Sequence, residues 1–335
     1  VRALSETIER FETLLETKPQ LVVCDLHPRY NSTVVAKAQQ LPVLQVQHHY
    51  AHILSCMAEN DYLDPVIGVS FDGTGYGEDG TIWGGEILYA DYEHFKRLGS
   101  IEPFWHVGGD IASKEGFRIA VSIIGGLVRE KENAKNIIKE LELCTEPEAN
   151  VILTMAQRHL NAIESTSAGR LFDAVSAILG IQKRSTFEGE ASMALEFAAE
   201  AWQKEHEVKN TENTQNAENV KNTGKVPNAK NNENTDVKEQ EHIFMQTNAI
   251  VWRMIEGRRQ GEDVGKLAYE FHQLLAMEIC AACENVRTQK KCNQVALSGG
   301  VFQNRLLLEL VEEELLNRKF QVLRHHLIPP NDGGI

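Results

Sequence analysis

Short apolar runs of strand length alternate with stretches of helical periodicity along most of this 335-residue chain. Residues 21–24 and 41–46 are rich in Val and Leu, as in buried strands, and a helical segment over 33–40 separates them. A strand, a helix and a second strand in succession are typical of α/β folds. Two further runs, 66–71 and 82–89, flank a glycine-rich turn, which predicts an antiparallel pair of strands.

The charge and cysteine content limit the partners and the compartment. Acidic residues exceed basic residues by 14, giving a formal net charge of −14. This excess argues against a nucleic-acid or anionic-membrane partner, because both require basic patches. No apolar run approaches the ~18 residues that a membrane-spanning helix needs, and six scattered cysteines are typical of a reducing compartment. We therefore expect a cytoplasmic protein, and we interpret the chain as a fragment of a longer one.

Residues 203–241 differ in composition from the rest of the chain. They are crowded with Asn, Glu, Lys and Thr, and their apolar content is isolated Val and Ala. Such a segment cannot bury enough surface to offset the entropy lost on ordering, so the sequence predicts a disordered insertion. After it, a helix over 264–288, a strand over 294–297, a helix over 302–316 and a strand over 321–323 continue the α/β pattern.

Three histidines lie within five residues, at positions 48, 49 and 52. They follow an apolar run and precede an amphipathic stretch, which predicts the start of a helix after a strand. In a helix, His48 and His52 are one turn apart and lie on the same face. Two imidazoles at that spacing can hold one divalent ion. A solvated helix start that happens to be rich in histidine explains the triplet equally well.

Two glycine-rich junctions could bind a ligand. In residues 71–80, glycines allow close approach to the backbone, and Asp72 follows a buried strand, where a carboxylate could hold a metal. In residues 297–304, paired glycines precede a helix whose N-terminus favours negative charge. A hairpin turn and an ordinary strand-to-helix turn are the alternative interpretations.

A third junction, residues 329–334, carries Asp332 near the end of the chain. This carboxylate could complete a site with His48 and His52, and such ligand sets suit zinc or iron. Hydrolytic zinc helices carry a Glu directly after the first His, whereas position 49 is His, so a protease is disfavoured. Asp173 and Glu190 lie in two further polar clusters that solvated helix starts also explain.

Six motifs, in this order, carry a resemblance to a known family: QHHYAH, FDGTGYGEDGTIWGGE, GRLFDAVSAILG, FEGEA, LSGGVFQNRLL and PPNDGG. Together they resemble the carboxy-terminal, Kae1-like part of HypF, the family of nickel–iron hydrogenase maturation carbamoyltransferases. The resemblance runs from about residue 21 to the last residue, apart from the insertion.

The resemblance implies an actin-like ATPase fold of the ASKHA and Kae1-like type, with two lobes closing on a nucleotide and a metal. We expect residues 1–110 to form the N-terminal lobe, with the histidine motif and the first glycine-rich loop. Residues 111–202 would form the helical part of the second lobe. After the disordered insertion at 203–241, residues 242–335 would complete that lobe with the nucleotide loop and the metal-binding aspartate.

The activity implied by the resemblance is carbamoyl transfer. HypF proteins use carbamoyl phosphate and ATP to make carbamoyl-adenylate, and the Kae1-like part passes the carbamoyl group to the C-terminal cysteine of HypE. The family's acylphosphatase-like, zinc-finger and YrdC-like domains are missing from this sequence. We therefore expect transfer to a HypE-type acceptor protein, with carbamoyl phosphate and ATP handled by those missing domains.

The family's motifs also imply roles for individual residues. His48, His52 and Asp332 would bind the divalent metal, zinc or iron, with Asp72 as a fourth ligand, and His48, His52 and Asp72 would be the catalytic residues. The positions that would line ATP or carbamoyl-adenylate are Gly73, Thr74, Gly75, Gly299, Gly300 and Asn304, with Asp173 and Glu190 as ribose or base contacts.

Three other functions fit parts of the pattern. The tRNA threonylcarbamoyl transferases share the histidines, but they have a different loop where this chain has Asp72–Gly75, and the acidic charge does not help to bind tRNA. O-carbamoyltransferases that act on small-molecule hydroxyls share both the histidines and that loop, whereas Trp83–Glu86 favours the hydrogenase branch. A non-catalytic module that binds nucleotide and metal is the third alternative.

Overall fold

The computed structural model describes residues 1–213 and 242–335, which form ten strands and eleven α-helices. The strands are β1 (Val22–Asp25), β2 (Val43–Val46), β3 (Val66–Tyr76), β4 (Ile82–Ala90), β5 (Phe95–Ile101), β6 (Phe104–Val107), β7 (Ala162–Ser165), β8 (Ile243–Met245), β9 (Gln294–Ser298) and β10 (Gln321–Leu323). The helices are α1 (Arg2–Leu14), α2 (Asn31–Ala38), α3 (His48–Glu59), α4 (Gly116–Leu127), α5 (Lys131–Glu140), α6 (Glu146–Arg158), α7 (Ala168–Ile178), α8 (Glu190–Asn213), α9 (Thr247–Arg259), α10 (Val264–Lys290) and α11 (Arg305–Asn317).

The largest sheet has the order β10–β9–β3–β4–β5–β8. Outside this order, β7 pairs with β4, and β6 pairs with β7. Strand β9 is parallel to both β3 and β10, whereas β4 is antiparallel to β3 and to β5. The predicted antiparallel pair over 66–71 and 82–89 is therefore confirmed. Because β9 and β10 join the same sheet as β3, the sheet crosses the predicted boundary at residue 110. The division into lobes stays a prediction.

A second, two-stranded sheet lies at the start of the chain. Strands β1 and β2 are parallel, with Asp25 paired in register with Val46, and helix α2 connects them. This arrangement confirms the strand, helix and strand predicted from residues 21–46. This register places Asp25, at the end of β1, beside Val46, which leads through Gln47 into helix α3.

Helix α3 packs on one face of the large sheet. Its buried Ile53, Cys56 and Met57 share a small apolar cluster with Val66 and Ala296 of the neighbouring strands. Gly68 makes this close packing possible, because a Cβ there would lie 2.6 Å from Cγ1 of Ile53. The opposite face of the sheet carries the main core, which extends over helices α4 to α11.

Three segments differ from the sequence predictions. Strand β3 continues to Tyr76 through a register shift between Phe71 and Gly75, so Asp72 lies in an irregular strand end rather than in a loop. For residues 152–179 the periodicity predicts mostly helix, whereas β7 interrupts this stretch because it pairs with β6 and β4. The helix predicted from residue 302 begins at Arg305, since residues 300–303 form a tight 3₁₀ turn.

Helix α8 extends into the segment predicted as an insertion, since residues 203–213 are its last turns. The remainder of that prediction, residues 214–241, lies outside the described residues. None of the helices in the described ranges combines the length and apolar character needed to cross a membrane.

Candidate metal centre and glycine turns

His48 and His52 lie on the first turn of helix α3 and point to the same place. The helix begins where the side chain of Gln47 accepts a hydrogen bond from the backbone N–H of Tyr50, at 2.9 Å. The two imidazole rings stand edge to face, with centroids 4.8 Å apart. His48 is 9% exposed and His52 is fully buried. The helical spacing predicted from the sequence is therefore the geometry that the structure shows.

Two aspartates from distant parts of the chain complete the group. Oδ2 of Asp72 lies 3.0 Å from Nε2 of His48 and 3.7 Å from Nε2 of His52. Oδ1 of Asp332 lies 3.5 Å and 3.6 Å from the same two nitrogens. The ligand atoms of all four residues lie within 4.8 Å of one another. The structure thus brings together the four residues proposed as ligands, and their metal-binding role stays a prediction.

The spacing of these atoms suits a small divalent ion. Ligands about 2.0–2.2 Å from a tetrahedral zinc ion stand about 3.3–3.6 Å from one another. The four nitrogen-to-oxygen distances in the group, 3.0–3.7 Å, bracket that range. Neither ring nitrogen of His52 has a hydrogen-bond partner among the described residues, although both are buried. A bound cation would give Nε2 the partner that buried polar atoms normally have.

The electrostatics of the group also favour a cation. Burial lowers the pKa of His48, but contacts with Asp25, Asp332 and Asp72 outweigh it and raise the pKa to about 12. Burial raises the pKa of Asp72, whereas the hydrogen bond with His48 and the nearby imidazole of His52 lower it well below its ordinary value. His48 and His52 also lower the pKa of Asp332, so both aspartates are carboxylates at neutral pH. Their negative charge favours a cation at this place, either a proton on His48 or a divalent ion that displaces that proton.

Glycine-rich turns surround Asp72. Its Oδ1 accepts a hydrogen bond from the backbone N–H of Gly300, at 3.1 Å. The hydroxyl of Ser167, which caps helix α7, donates a hydrogen bond to the carbonyl of Gly73. A Cβ on Gly169 would lie 3.0 Å from Cα of Gly73, so the helix N-terminus and the strand end are in direct contact. The turn at Gly300, the strand end at Gly73 and the start of helix α7 therefore lie together beside the candidate metal ligands.

Three residues predicted to contact nucleotide have partners within the protein. Asn304 caps helix α11 and its amide nitrogen lies 2.9 Å from Nε2 of His272. Asp173 is 4% exposed and forms an ion pair with Arg170 at 3.1 Å. Glu190 accepts a hydrogen bond from Gln182 and others from Thr186. These contacts account for the three side chains without a ligand, and their nucleotide role stays a prediction.

Asp25 is a polar residue beside the candidate ligands that the sequence patterns do not single out. Its Oδ2 lies 3.3 Å from Nδ1 of His48, on the opposite side of the ring from Asp72. A signal was present in the sequence, because Asp25 directly follows a predicted strand next to the one that leads to His48. The ends of neighbouring parallel strands lie side by side, so a carboxylate after one strand can reach a side chain after the other.

The loop that carries Asp332 is hydrogen-bonded to Glu59 at the C-terminal end of helix α3. Glu59, whose side chain is 6% exposed, accepts hydrogen bonds from the backbone N–H groups of His326, Leu327 and Ile328. Its other oxygen lies 2.7 Å from Nδ1 of His325. Helix α3 therefore supplies both histidines and the anchor of the loop that brings the second aspartate to them.

Replacing Glu59 by alanine should loosen this loop and destabilise the protein by about 2–3 kcal/mol, because several donors lose a charged acceptor. Burial raises the pKa of Glu59, but the backbone N–H groups of residues 326–328 and His325 lower it from 4.5 to about 2. A carboxylate with a lowered pKa stabilises the fold above pH 4.5, and the effect fades as pH falls towards 2. The free energies of unfolding of wild type and of Glu59→Gln, measured with urea at several pH values, should therefore converge as the pH falls. A difference that does not change with pH would contradict this assignment.

Matches to known family models identify the class of protein. Residues 68–335 match the family model described as "Carbamoyltransferase, Kae1-like Domain, second subdomain", and residues 1–59 match the one described as "HypF Kae1-like domain". The chain therefore belongs to the HypF carbamoyltransferase family.

Individual relatives support this assignment over nearly the whole chain. The carbamoyltransferase HypF of Synechocystis sp. is 33% identical, with 98% of this chain and 41% of the relative aligned. A carbamoyltransferase HypF homolog of Cupriavidus necator is 31% identical, with 99% of this chain and 80% of the relative aligned. The chain thus spans about 40% of the length of the Synechocystis protein and most of the shorter homolog.

A solved structure confirms the predicted Kae1-like α/β fold. The crystal structure of full-length HypF in the phosphate- and nucleotide-bound form superposes with a TM-score of 0.81 and 32% sequence identity. The match covers 98% of this chain and 47% of the full-length protein.

Proposed function

We propose that this chain transfers a carbamoyl group from carbamoyl-adenylate to the C-terminal cysteine of a HypE-type acceptor protein. The observation that carries the proposal is the convergence of His48, His52, Asp72 and Asp332 beside the turns at Gly73 and Gly300. A reaction between a nucleotide-linked carbonyl and a thiol needs positioning and charge neutralisation, and this site offers groups suited to both.

The chemistry assigns separate tasks to the ligand set and the turns. The four residues would hold a divalent ion, zinc or iron, which neutralises phosphate charge and polarises the carbamoyl carbonyl when bound. The glycine turns would hold the adenylate with its phosphate against the backbone. The acceptor sulfur attacks the carbamoyl carbon, the C–S bond forms, and the bond from that carbon to the phosphate oxygen breaks. AMP leaves with the electron pair, and the thiol proton passes to solvent.

The other participants belong to the same proposal. Carbamoyl phosphate and ATP would be converted to the adenylate by domains that the longer relatives have beyond the aligned part. We place the reaction in the cytoplasm, since all six cysteines are free thiols, as expected in a reducing compartment. The net charge of −14 supports a protein acceptor over tRNA.

The direct test supplies synthetic carbamoyl-adenylate and a peptide with the C-terminal tail of the acceptor, with zinc or iron present. Mass spectrometry should show a thiocarbamate on the terminal cysteine and none on a matched peptide ending in serine. Transfer to the serine peptide or to a small-molecule alcohol would favour an O-carbamoyltransferase. Adenylate binding with no transfer to any acceptor would identify a non-catalytic module.

Gly73→Ala should separate ligand binding from stability. A Cβ on Gly73 would meet no atom within 4 Å, and the residue does not have a positive φ, so the fold should tolerate the change. If the adenylate lies against this backbone, the added methyl group should weaken its binding by about 10-fold or more. Isothermal titration calorimetry with a non-hydrolysable adenylate analogue measures the loss of affinity, and thermal melting checks that the variant is folded. Equal affinity in the variant would place the nucleotide elsewhere.

A further inference from the structure

Asp25 faces the side of His48 that points away from the candidate ion. Its Oδ2 lies 3.3 Å from Nδ1 of His48, whereas Nε2 of the same ring faces Asp72 and Asp332. The two nitrogens of an imidazole point in different directions, so Asp25 cannot share the ion that Nε2 would bind. Building on the metal centre of the proposed function, we infer that Asp25 is a positioning residue for His48. It keeps the proton on Nδ1 and directs the Nε2 lone pair at the ion.

The surrounding turn holds Asp25 in place. Its Oδ1 accepts a hydrogen bond from the backbone N–H of His27 at 2.6 Å, and its side chain is only 15% exposed. The ring of His27 stacks on Tyr30 at 4.0 Å and meets the edge of Tyr76 at 4.9 Å. Because Tyr76 ends strand β3, the turn after β1 is packed against the same strand end that carries Asp72. The carboxylate therefore has a fixed direction before any ion arrives.

A comparison of the two histidines shows why only one needs such a partner. His52 is fully buried, and no group in residues 1–213 or 242–335 hydrogen-bonds its Nδ1, so packing orients its ring without a carboxylate behind it. His48 is the first residue of helix α3 and is 9% exposed, so packing constrains its ring less than that of His52. A carboxylate behind a metal-binding imidazole fixes its tautomer and orientation and makes it a stronger ligand. The geometry points to this role for Asp25 at His48.

The test measures zinc affinity by competition with a chromophoric chelator, without any transfer assay. Asp25→Ala should weaken zinc binding by about 10–100-fold. Asp25→Asn keeps an oxygen acceptor but loses the charge, so its loss should be smaller, about 3–10-fold. Asp64→Asn is the matched control, because it removes one exposed carboxylate from the turn before β3 and should change affinity by less than about twofold.

A spectroscopic measurement separates positioning from general destabilisation. Nitrogen-15 NMR spectra of the zinc-bound wild type should show the Nδ1–H signal of His48, and this signal should be lost in Asp25→Ala. Without metal, Asp25→Ala should have the same melting temperature as Asp64→Asn. If Asp25→Ala does not fold, Asp25→Asn decides alone, and zinc affinity equal to wild type overturns the inference. If wild type binds zinc and the Asp25 variants bind it equally well, only this inference is contradicted. If wild type does not bind zinc, the metal centre itself is contradicted.

Discussion

Replacing His48 or His52 by alanine should lower kcat/KM for carbamoyl transfer by at least about 1,000-fold, since a metal ion supplies several kcal/mol of charge stabilisation. Each variant removes one of the four candidate ligands, whose donor atoms lie within 4.8 Å of one another. The remaining three ligands would hold zinc weakly, so elemental analysis after dialysis should show little bound metal. The transfer assay with carbamoyl-adenylate and the acceptor tail measures the activity.

The control for this pair is His94→Ala. His94 lies in the turn between β4 and β5 and its side chain is 82% exposed, so the same substitution there should leave transfer and metal content unchanged. His48→Gln adds a folding control, because it keeps a polar side chain at the start of helix α3. If the His48→Ala protein folds and retains more than about a tenth of wild-type activity, His48 is not a ligand of the reacting centre.

Gly299→Ala should be among the most damaging single substitutions in the chain, at a cost of at least about 3 kcal/mol. Gly299 has φ of +104° and ψ of 153°, a conformation that is essentially restricted to glycine. A Cβ there would also lie 2.6 Å from the carbonyl carbon of Phe71, which strand geometry holds in place. Relief of this overlap would move Gly300 away from Asp72, so metal affinity should fall together with stability.

The matched control is Gly126→Ala, near the end of helix α4. A Cβ there would meet nothing within 4 Å, and alanine is the better helix former, so this variant should gain up to about 1 kcal/mol. Urea unfolding of both variants measures the difference in the free energy of unfolding. A Gly299→Ala protein as stable as wild type, with unchanged zinc affinity, would show that this turn does not position Asp72.

Local sequence patterns could predict the parts of the site that depend on local geometry. The spacing of His48 and His52 fixes their common face as soon as a helix forms, and Asp72 follows a strand that apolar residues define. The link to Asp332 did not follow from local patterns. The ordered family motifs imply it, because 260 positions separate Asp72 from Asp332. The pairing of β3 with β9 and of β9 with β10, together with the Glu59 anchor, brings the two aspartates together.

Other contacts depend on long-range pairing that a single sequence does not encode locally. Asp25 reaches His48 through the register of β1 with β2, and this register depends on the packing of both strands. Strand β7 is only four residues long and takes its shape from its neighbours β4 and β6. The family resemblance predicts nucleotide contacts for Asn304, Asp173 and Glu190, yet their contacts inside the protein appear only once the helices are packed.

The most direct test of the metal centre is anomalous scattering at the zinc absorption edge, from crystals of this chain grown with zinc. We expect one strong peak about 2.0–2.2 Å from Nε2 of His48, Nε2 of His52 and a carboxylate oxygen of each of Asp72 and Asp332. A peak elsewhere, for example beside Cys280 and Cys283, or no peak within reach of the two histidines would contradict it.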